Sequence, residues 1–546
     1  LNAGDAIASG ALYNTVVGGE AGTGLTTGDY NTIVGYQAAI AAMTGGANSF
    51  YGSQAGYATT AGYDNTAIGY SALRTNILSG RNVAIGRNAL YTHDTASGAN
   101  GYNVAVGYEA GKLIETGTNN TLIGGSSGDQ LTDADNNVAV GTGSLGSDTL
   151  GSKTTAIGKD ALGVQNFTTA TDSYNTAVGY LAGGAVTTGI QNTLIGGLAG
   201  DVLTDADYNV AVGISALGAD TLGSRSVAIG GNCLTAQNFT TATDSYNTAV
   251  GYAAGAGVTT GIRNTLIGGA AGDALTDADY NVAIGMGALG ADVTGNKSVA
   301  IGVDALATQN RSGDNLNVAV GYTAGIAVTT GVNNTLIGSL SGDALTDGIE
   351  NVMLGYDTGT ITTGDSNIVI GSQNVNSAVG VNDEIFIGRA GAGSGTRTFT
   401  IGYGDTDVQI SIDGSDTSWS ATSDERLKDN INSLSVGLDF IDELRPVTYE
   451  WKEKKDIDPS LGRYYEEEST DPCRGDGGIH YGLIAQEVKT VIDKYSLTGK
   501  HHIWKEGVDG FQVVGIGNVM PILIKAVQEL SAKNDALAAR IAVLEG

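Results

Sequence analysis

A serine and a lysine stand five residues apart in Ser423-Asp-Glu-Arg-Leu-Lys-Asp-Asn430, where a glycine-rich array gives way to a charged tail. A serine hydroxyl is a weak nucleophile that needs a neighbouring base to take its proton. A lysine amine is such a base only in its neutral form, which burial favours. By itself the pair does not indicate catalysis, because Thr422-Ser-Asp-Glu425 is also a capping box that would start a helix. Any chemistry in this chain should lie at this junction.

Paired aspartates are the second group of residues whose type and spacing could have a chemical role. Asp133-Ala-Asp135, Asp205-Ala-Asp207 and Asp277-Ala-Asp279 each follow Leu-Thr, and the copies are 72 residues apart. Alternating carboxylates can collect Ca²⁺. The three copies are too distant to share an ion, so each site would need ligands from its own turn or from other chains. We treat these six residues as weak calcium candidates and expect solvated turn carboxylates. No other cofactor is indicated.

A pentapeptide of the type Asn-(Thr/Val)-Ala-(Val/Ile)-Gly sets the architecture that must carry these residues. Its glycines recur mostly every 17 residues, with steps of 21 at three places and 19 at one, which gives a higher period of 72 residues. They stand at Gly18, Gly35, Gly52, Gly69, Gly86, Gly107, Gly124, Gly141, Gly158, Gly179, Gly196, Gly213, Gly230, Gly251, Gly268, Gly285, Gly302, Gly321 and Gly338, and continue in degraded form at Gly355, Gly371, Gly388 and Gly402. Because a 17-residue unit cannot bury a core alone, the period predicts a β-solenoid.

The residue pattern within one repeat predicts the shape of a rung. In Asn65-Thr-Ala-Ile-Gly69, alternation places Ala67 on one strand face and its neighbours on the other. We expect the small Ala face to receive another chain, and Tyr70-Ser-Ala-Leu73 to form a return strand. Asn and Gly should adopt the left-handed turn conformations. Equivalent Asn side chains should form hydrogen-bonded ladders between rungs.

Composition excludes several classes of protein. Eighty-five glycines with 4 prolines do not fit a collagen helix, and 41% hydrophobic residues in register argue against disorder. No apolar run is long enough to span a membrane, and two cysteines cannot form a disulfide framework. The net charge of −30 is concentrated in the array, which holds 35 acidic and 12 basic residues. Nucleic acid is therefore a poor partner.

The C-terminal region has a different organisation. We predict a shaft over residues 1–402 that degrades from about 340, a linker over 403–422 and a small α+β domain over 423–546. Helical periodicity runs from Leu427 to Leu444, a strand follows at Val447-Thr-Tyr-Glu-Trp451, and residues 452–478 read as an insertion.

The chain should end in a helix over 518–546 with a coiled-coil seam. The seam residues are spaced 4-3-4-3-4-3 and comprise Leu523, Val527, Leu530, Asn534, Leu537, Ile541 and Leu544. Val and Ile at a with Leu at d favour a dimer, and the polar Asn534 fixes the register. The seam predicts self-association without proving a trimer.

The pentapeptide array resembles the head repeats of trimeric autotransporter adhesins, which are left-handed β-rolls bundled in threes, and arrays in bacteriophage tail fibres. The resemblance covers about residues 10–370. It implies a mainly β fold with a trimeric solenoid or β-roll shaft. The 17-residue period is longer than that of the adhesin heads, which leaves the handedness open.

The Ser423–Asn430 segment, Leu444-Arg-Pro-Val-Thr-Tyr449, Tyr481-Gly-Leu-Ile-Ala-Gln-Glu-Val488 and the terminal helix together resemble the intramolecular chaperone domain of endosialidase-type phage tailspikes and tail fibres. The resemblance implies that this domain trimerises the chain, assists folding of the shaft and then cuts itself off, on one side or the other of Ser423. It assigns the catalytic dyad to Ser423 and Lys428. His480 is a candidate helper, and Asp424 and Asn430 are candidates for positioning the loop.

These resemblances predict a homotrimeric fibre or spike protein of a phage virion that attaches to the host surface. The expected partners are further copies of the chain, a glycan or protein receptor on the host, and other tail proteins bound through an N-terminal region outside this sequence, since Leu1 is not an initiator Met. Its only enzymatic act would be one self-cleavage per chain. A bacterial trimeric surface adhesin is the alternative function. A polysaccharide-degrading tailspike ranks lower, because the array offers no fixed carboxylate pair in a non-repeating insertion.

Overall fold

The computed structural model describes all residues except 1, 2, 5, 6, 8, 9, 96, 405, 417, 422, 476, 498–501, 508 and 509, and the side chains of residues 462 and 463. The chain divides into two compact units, Leu1–Thr422 and Ser423–Gly546. The division falls at the change of composition seen in the sequence.

The first unit is a β-solenoid whose rungs stack in parallel, so the predicted mainly β fold is confirmed. Its sheet has 24 strands, mostly of three residues, paired in register: Thr66 lies beside Val83 and Ile68 beside Ile85. The strands are Thr15–Val17, Thr32–Val34, Ser49–Tyr51, Thr66–Ile68, Val83–Ile85, Val104–Val106, Thr121–Ile123, Val138–Val140, Thr155–Ile157, Thr176–Val178, Thr193–Ile195, Val210–Val212, Val227–Ile229, Thr248–Val250, Thr265–Ile267, Val282–Ile284, Val299–Ile301, Val318–Val320, Thr335–Ile337, Val352–Leu354, Ile368–Ser372, Ile385–Arg389, Thr398–Tyr403 and Thr406–Ser411.

The middle residue of the three-residue strands faces the interior of the same chain. Ala67 is fully buried and packs in one continuous core with Ala72 and Leu73, whereas Ile68 points outward and is 40% exposed. The prediction that the Ala face receives another chain is therefore wrong. The rung interior is narrow, and a small side chain leaves room there for the leucine of the following turn.

The expected return strand is also wrong. Tyr70-Ser-Ala-Leu73 forms turns in which Ser71 and Leu73 have φ values of 55° and 52°. The strand-closing glycine has φ 135° at Gly69, where an added Cβ would lie 2.6 Å from the carbonyl oxygen of Gly86. At the other end of the strand the left-handed residue is Asp64, with φ 55°, one position before the Asn that was expected to adopt that conformation.

The predicted asparagine ladder is present inside the solenoid. The Asn31 Oδ1 atom accepts the backbone N–H of Asn48 at 2.9 Å and its Nδ2 amide at 3.1 Å. The same Nδ2 donates to the carbonyl of Gly62 at 2.9 Å. Each buried asparagine thus accepts a backbone N–H and donates to a backbone carbonyl of the following rung, as Asn48 does with Asn65 and Gly62, which is why Asn recurs where the chain turns.

The longer rungs carry an extra layer of structure. Three of them contain a second short strand that pairs in parallel with the preceding 17-residue rung: Thr171–Asp172 with Gly151–Ser152, Thr243–Asp244 with Gly223–Ser224, and Gly313–Asp314 with Gly295–Asn296. Asp148 is buried beneath the first pair, where its carboxylate accepts the Gly151 and Phe167 backbone N–H groups at 3.1 Å and the Gln165 amide at 2.7 Å. Desolvation raises the pKa of Asp148 above its ordinary value.

The segment expected to be a linker, 403–422, is partly structured. The strand Thr406–Ser411 pairs antiparallel with Thr398–Tyr403, and Gln409 forms a bridge with Ser420. The solenoid thus ends in a hairpin that pairs outside the parallel pattern.

Among its described residues, the second unit combines three helices with two antiparallel strand pairs. The helices are α1 (Leu438–Glu443), α2 (Ala485–Lys494) and α3 (Met520–Glu545). The strand pairs are Val447–Tyr449 with His480–Gly482 and Trp504–Glu506 with Gln512–Val514, and the 3₁₀ turns are Glu425–Leu427, Lys454–Asp456, Pro459–Tyr464 and Ile516–Asn518. No helix among the described residues is long and apolar enough to cross a membrane.

The small core of this unit explains where the helix prediction failed. Phe440, Val488, Ile492 and Ile522 pack together from the three helices. The continuous helix expected from Leu427 to Leu444 is wrong for residues 428–437, which form no helix. Within this unit the side chains of its first half do not reach the core, and helical periodicity without a packing surface does not sustain a helix.

Candidate functional site

The predicted serine and lysine meet at the start of the second unit. The Lys428 Nζ amine donates a hydrogen bond to the Ser423 Oγ hydroxyl at 2.6 Å. The 3₁₀ turn Glu425–Leu427 lies between them, and the Lys428 N–H closes it on the Glu425 carbonyl at 3.0 Å. A single tight turn thus brings two residues five apart into contact.

Asp424 holds that turn in place. Its carboxylate accepts the backbone N–H of Arg426 at 2.8 Å and two guanidinium N–H groups of the same residue at 3.0 and 2.7 Å. The Arg426 guanidinium holds the pKa of this carboxyl below its ordinary value. Asp424 is therefore the N-cap of the turn, two residues after the Thr422 at which the capping box would begin. Thr422, the first residue of the predicted capping box, lies outside the described residues.

Asn430 ends the loop in a left-handed conformation, with φ 54°. Its N–H donates to the Asp429 Oδ1 atom at 2.8 Å, and its carbonyl accepts the Asn432 side-chain amide at 2.7 Å. These bonds fix the exit of the chain from the turn, and none of them is with Ser423 or Lys428.

His480 lies in the strand His480–Gly482 and not in the turn that contains the serine–lysine pair. It is opposite Tyr449 in the antiparallel register, and their rings stack with centroids 5.5 Å apart. The ring centroid of Trp451 is 6.3 Å from that of His480. Neither contact involves the serine–lysine pair, so the role of His480 as a helper stays a prediction.

The pair and its surroundings are open to solvent in the single chain. Ser423 and Lys428 are both exposed. Leu427 is 76% exposed and Ile431 is 65% exposed, directly beside them. Two large apolar side chains are thus left exposed beside the serine–lysine pair.

Sequence reasoning missed one link between the motifs. The Arg445 guanidinium forms two hydrogen bonds with the Glu487 carboxylate, one of them at 3.0 Å, and so joins the Leu444-Arg-Pro segment to helix α2. In the sequence, the only signal for this pair was the opposite charge of Arg445 and Glu487. A bidentate pair of this kind fixes both position and orientation.

The six calcium candidates have hydrogen-bond partners in the neighbouring rung or turn. Asp135, Asp207 and Asp279 each accept a backbone N–H from the preceding rung, at 2.6, 2.8 and 2.8 Å. Asp133, Asp205 and Asp277 accept threonine hydroxyls. Among the residues that the structure describes, no group of three or more His, Cys, Asp or Glu side chains is placed to hold a metal ion. Calcium binding therefore stays a prediction that would need ligands from other chains.

The terminal helix leaves its predicted seam uncovered. Ile522 and Ala526 of α3 are buried against the core, and Glu529 accepts the Leu438 N–H at 2.8 Å. Beyond them Leu530, Leu537 and Ile541 are 47%, 55% and 45% exposed. The apolar seam is thus available to an identical helix.

Comparison with known families identifies the same part of the chain. Residues 423–497 match the family model described as the chaperone of endosialidase. The match begins at Ser423, the residue that opens the second unit. It supports the resemblance drawn from the sequence motifs. Neither curated proteins nor solved structures give a significant match.

Proposed function

We propose that this protein is the fibre or spike of a phage virion and attaches the particle to the host surface. The C-terminal unit brings three chains together and assists the folding of their solenoids. It then cuts the chain at Ser423. A glycan or surface protein of the host is the expected receptor, and the fibre acts outside the cell.

The hydrogen bond between Lys428 Nζ and Ser423 Oγ carries this proposal. It pairs a nucleophile with a base at the first residue of a segment that matches a chaperone family. It also lies at the boundary between the two compact units, where a cut would separate them without dividing either core.

The size of the ring formed during attack favours the peptide bond before Ser423 as the place of the cut. Attack by Oγ on the carbonyl carbon of residue 422 passes through a five-membered ring, whereas attack on its own carbonyl needs a strained four-membered ring. Lys428 takes the hydroxyl proton as the C–O bond forms, and then gives a proton to the Ser423 nitrogen as the C–N bond breaks. Water hydrolyses the resulting ester. The products are a solenoid ending in a free carboxylate and a C-terminal fragment beginning with Ser423.

Assembly supplies what the single chain lacks. A lysine amine works as a base when exclusion of water favours its neutral form. The exposed Leu427 and Ile431 and the open seam of α3 provide apolar surface that three chains can bury together. Burial of the serine–lysine pair would then follow correct assembly, and the cut would report it.

The test is the intact mass of the purified protein on a denaturing column, beside Ser423→Ala and Lys428→Met. The wild type should give two fragments that join at residues 422 and 423, and both variants should give one full-length species. Ser420→Ala, which alters a nearby hydroxyl that bonds to Gln409, is the matched control and should be cut like the wild type. A full-length mass in the wild type, or fragments in Ser423→Ala, would contradict the proposal.

A further inference from the structure

A cationic cleft interrupts the acidic surface of the solenoid. It has a volume of about 400 Å³, and its lining includes Arg74, Arg87, Tyr70, Tyr91 and the amides of Gln54 and Asn88. This volume falls within the range of roughly 300–1,000 Å³ that ligand pockets occupy.

Two columns of side chains form the walls of this cleft across successive rungs. In the first, the Arg87 guanidinium lies 5.8 Å from the Tyr70 ring centroid and 5.9 Å from that of Tyr108. In the second, Arg74 lies 4.9 Å from the ring centroid of Tyr57 and 5.6 Å from that of Tyr91. Stacking on aromatic faces holds each guanidinium in place.

Comparison with the regular repeats shows that the two arginines are a local departure, whereas tyrosine recurs in the first column at Tyr36, Tyr180, Tyr252 and Tyr322. In the next three rungs the first column continues as Gly125, Thr142 and Lys159, and the second as Asp129, Gly146 and Gly163. A rung needs neither tyrosine nor arginine at these positions, because the solenoid continues unchanged without them. The two arginines of the cleft are therefore not explained by the fold.

The charges in this region leave two arginines uncompensated. Residues 54–112 contain four basic and three acidic side chains, whereas the solenoid as a whole is strongly acidic. Glu109 pairs with Lys112 at 3.2 Å, Asp64 pairs with Arg81 at 3.7 Å, and Asp94 accepts the backbone N–H groups of Ile77 and Leu78.

Within the described part of the chain, neither Arg74 nor Arg87 forms an ion pair. Arg74 donates to the Tyr91 hydroxyl at 3.1 Å and to Gln54 at 3.4 Å, both neutral groups. Two fixed guanidinium groups with no carboxylate partner line one concave surface, which is the arrangement that binds an anion.

We propose that this cleft binds an acidic saccharide, in which a uronate-type carboxylate pairs with Arg74 and Arg87. The tyrosine hydroxyls and the Asn88 side-chain carbonyl suit the sugar hydroxyls. The Asn88 Nδ2 donates to Glu109 at 3.1 Å, and the Gln54 amide bonds to Gln37 and Arg74. The acidic surface elsewhere repels a polyanion, so the negative polymer is directed to this segment. The inference deepens the proposed attachment function, on which it rests, by naming the class of receptor and its place on the shaft.

The experiment is calorimetric titration of the full chain at low salt with tetrasaccharides of polygalacturonate, alginate and hyaluronan. Maltotetraose serves as the neutral probe and inorganic phosphate as the simple anion. At least one uronate should bind, and Arg74→Gln and Arg87→Gln should each weaken it about tenfold or more. Arg225→Gln is the matched control, because Arg225 also lies between two tyrosines but pairs with Asp244 at 2.9 Å outside the cleft.

Several results would overturn the inference. They are binding of none of the three uronates, equal binding of maltotetraose, equal weakening by Arg225→Gln, or full displacement of the saccharide by an equal concentration of phosphate. A change of oligomeric state in Arg74→Gln would assign the cleft to contact between chains instead. The mass assay on the same preparations separates the two proposals: fragments without saccharide binding reject the cleft alone, and binding without fragments rejects self-processing alone.

Discussion

Replacing one asparagine of the internal ladder tests the account of how the rungs are held together. In the wild type, the Asn192 Oδ1 atom accepts the backbone N–H of Asn209 at 3.0 Å, and its Nδ2 donates to the carbonyl of Ala206 at 2.7 Å. The Asn192→Ala substitution removes both hydrogen bonds. Both lost hydrogen bonds are buried. Leaving a buried polar group unsatisfied costs about 1–3 kcal/mol, so we expect the local opening free energy to fall by about 3 kcal/mol.

Hydrogen exchange of the Asn209 amide measures this loss directly, and its rate should rise on the order of a hundredfold. Ser226→Thr is the matched control at a rung where the ladder is naturally interrupted. There the Gln237 amide and the Ser245 hydroxyl contact the Ser226 hydroxyl at 2.8 and 2.5 Å, and Thr154 occupies the equivalent place in another copy. The control should exchange at the wild-type rate. An unchanged rate at Asn209, or an equal rise in the control, would refute the reasoning.

Three further predictions concern pH and assembly. Burial lowers the pKa of His93 to about 4, so the folded state favours the neutral ring. The stability of its rung should be full above pH 6.5 and should fall by about 3 kcal/mol as the pH drops from 6.5 to 4. Hydrogen exchange in that rung should show this loss in the wild type and not in His93→Gln. Burial raises the pKa of Asp220, so its rung should instead become more stable as the pH falls towards 4, and equal weakening of both rungs would contradict the assignment. Leu537→Glu in the open seam should reduce the oligomer to a monomer in light scattering. Ala532→Glu, outside the seam, should leave the oligomer intact. An intact oligomer in Leu537→Glu would exclude the seam as the interface.

The solenoid was predictable because every repeat of the sequence meets the same structural requirements at the same positions. A glycine equivalent to Gly69 recurs where successive rungs approach too closely for a Cβ. An asparagine equivalent to Asn65 recurs where a buried turn needs both a donor and an acceptor. The orientation of Ala67 was not predictable by alternation alone, since alternation separates two faces without saying which is inside. The buried Leu73 in the following turn decides it.

The second unit was harder to predict because its local signals conflict with its packing. The leucines and isoleucines between Leu427 and Leu434 have helical spacing, yet they are exposed and belong to no core of this chain. If they pack in an assembly, a single sequence cannot show that surface. The serine–lysine contact was found from the motif, whereas the link between Arg445 and Glu487 depends on the tertiary structure.

The cationic cleft was missed because charge was summed over the whole array. The total is strongly negative, and this average conceals the four basic residues between 54 and 112. Comparing each column of the repeat with its own copies reveals the departure at Arg74 and Arg87. A repetitive protein thus supplies an internal reference against which an unusual surface can be recognised.

The most direct test of the central claim is to separate newly made protein by native size and to measure the intact mass in each fraction over time. The account predicts full-length chain in the monomeric fraction and the pair of fragments joined at Ser423 in the trimeric fraction. Fragments in the monomeric fraction would show that cutting does not depend on assembly. A stable trimer of uncut chains would show that the contact between Ser423 and Lys428 serves only to shape the turn.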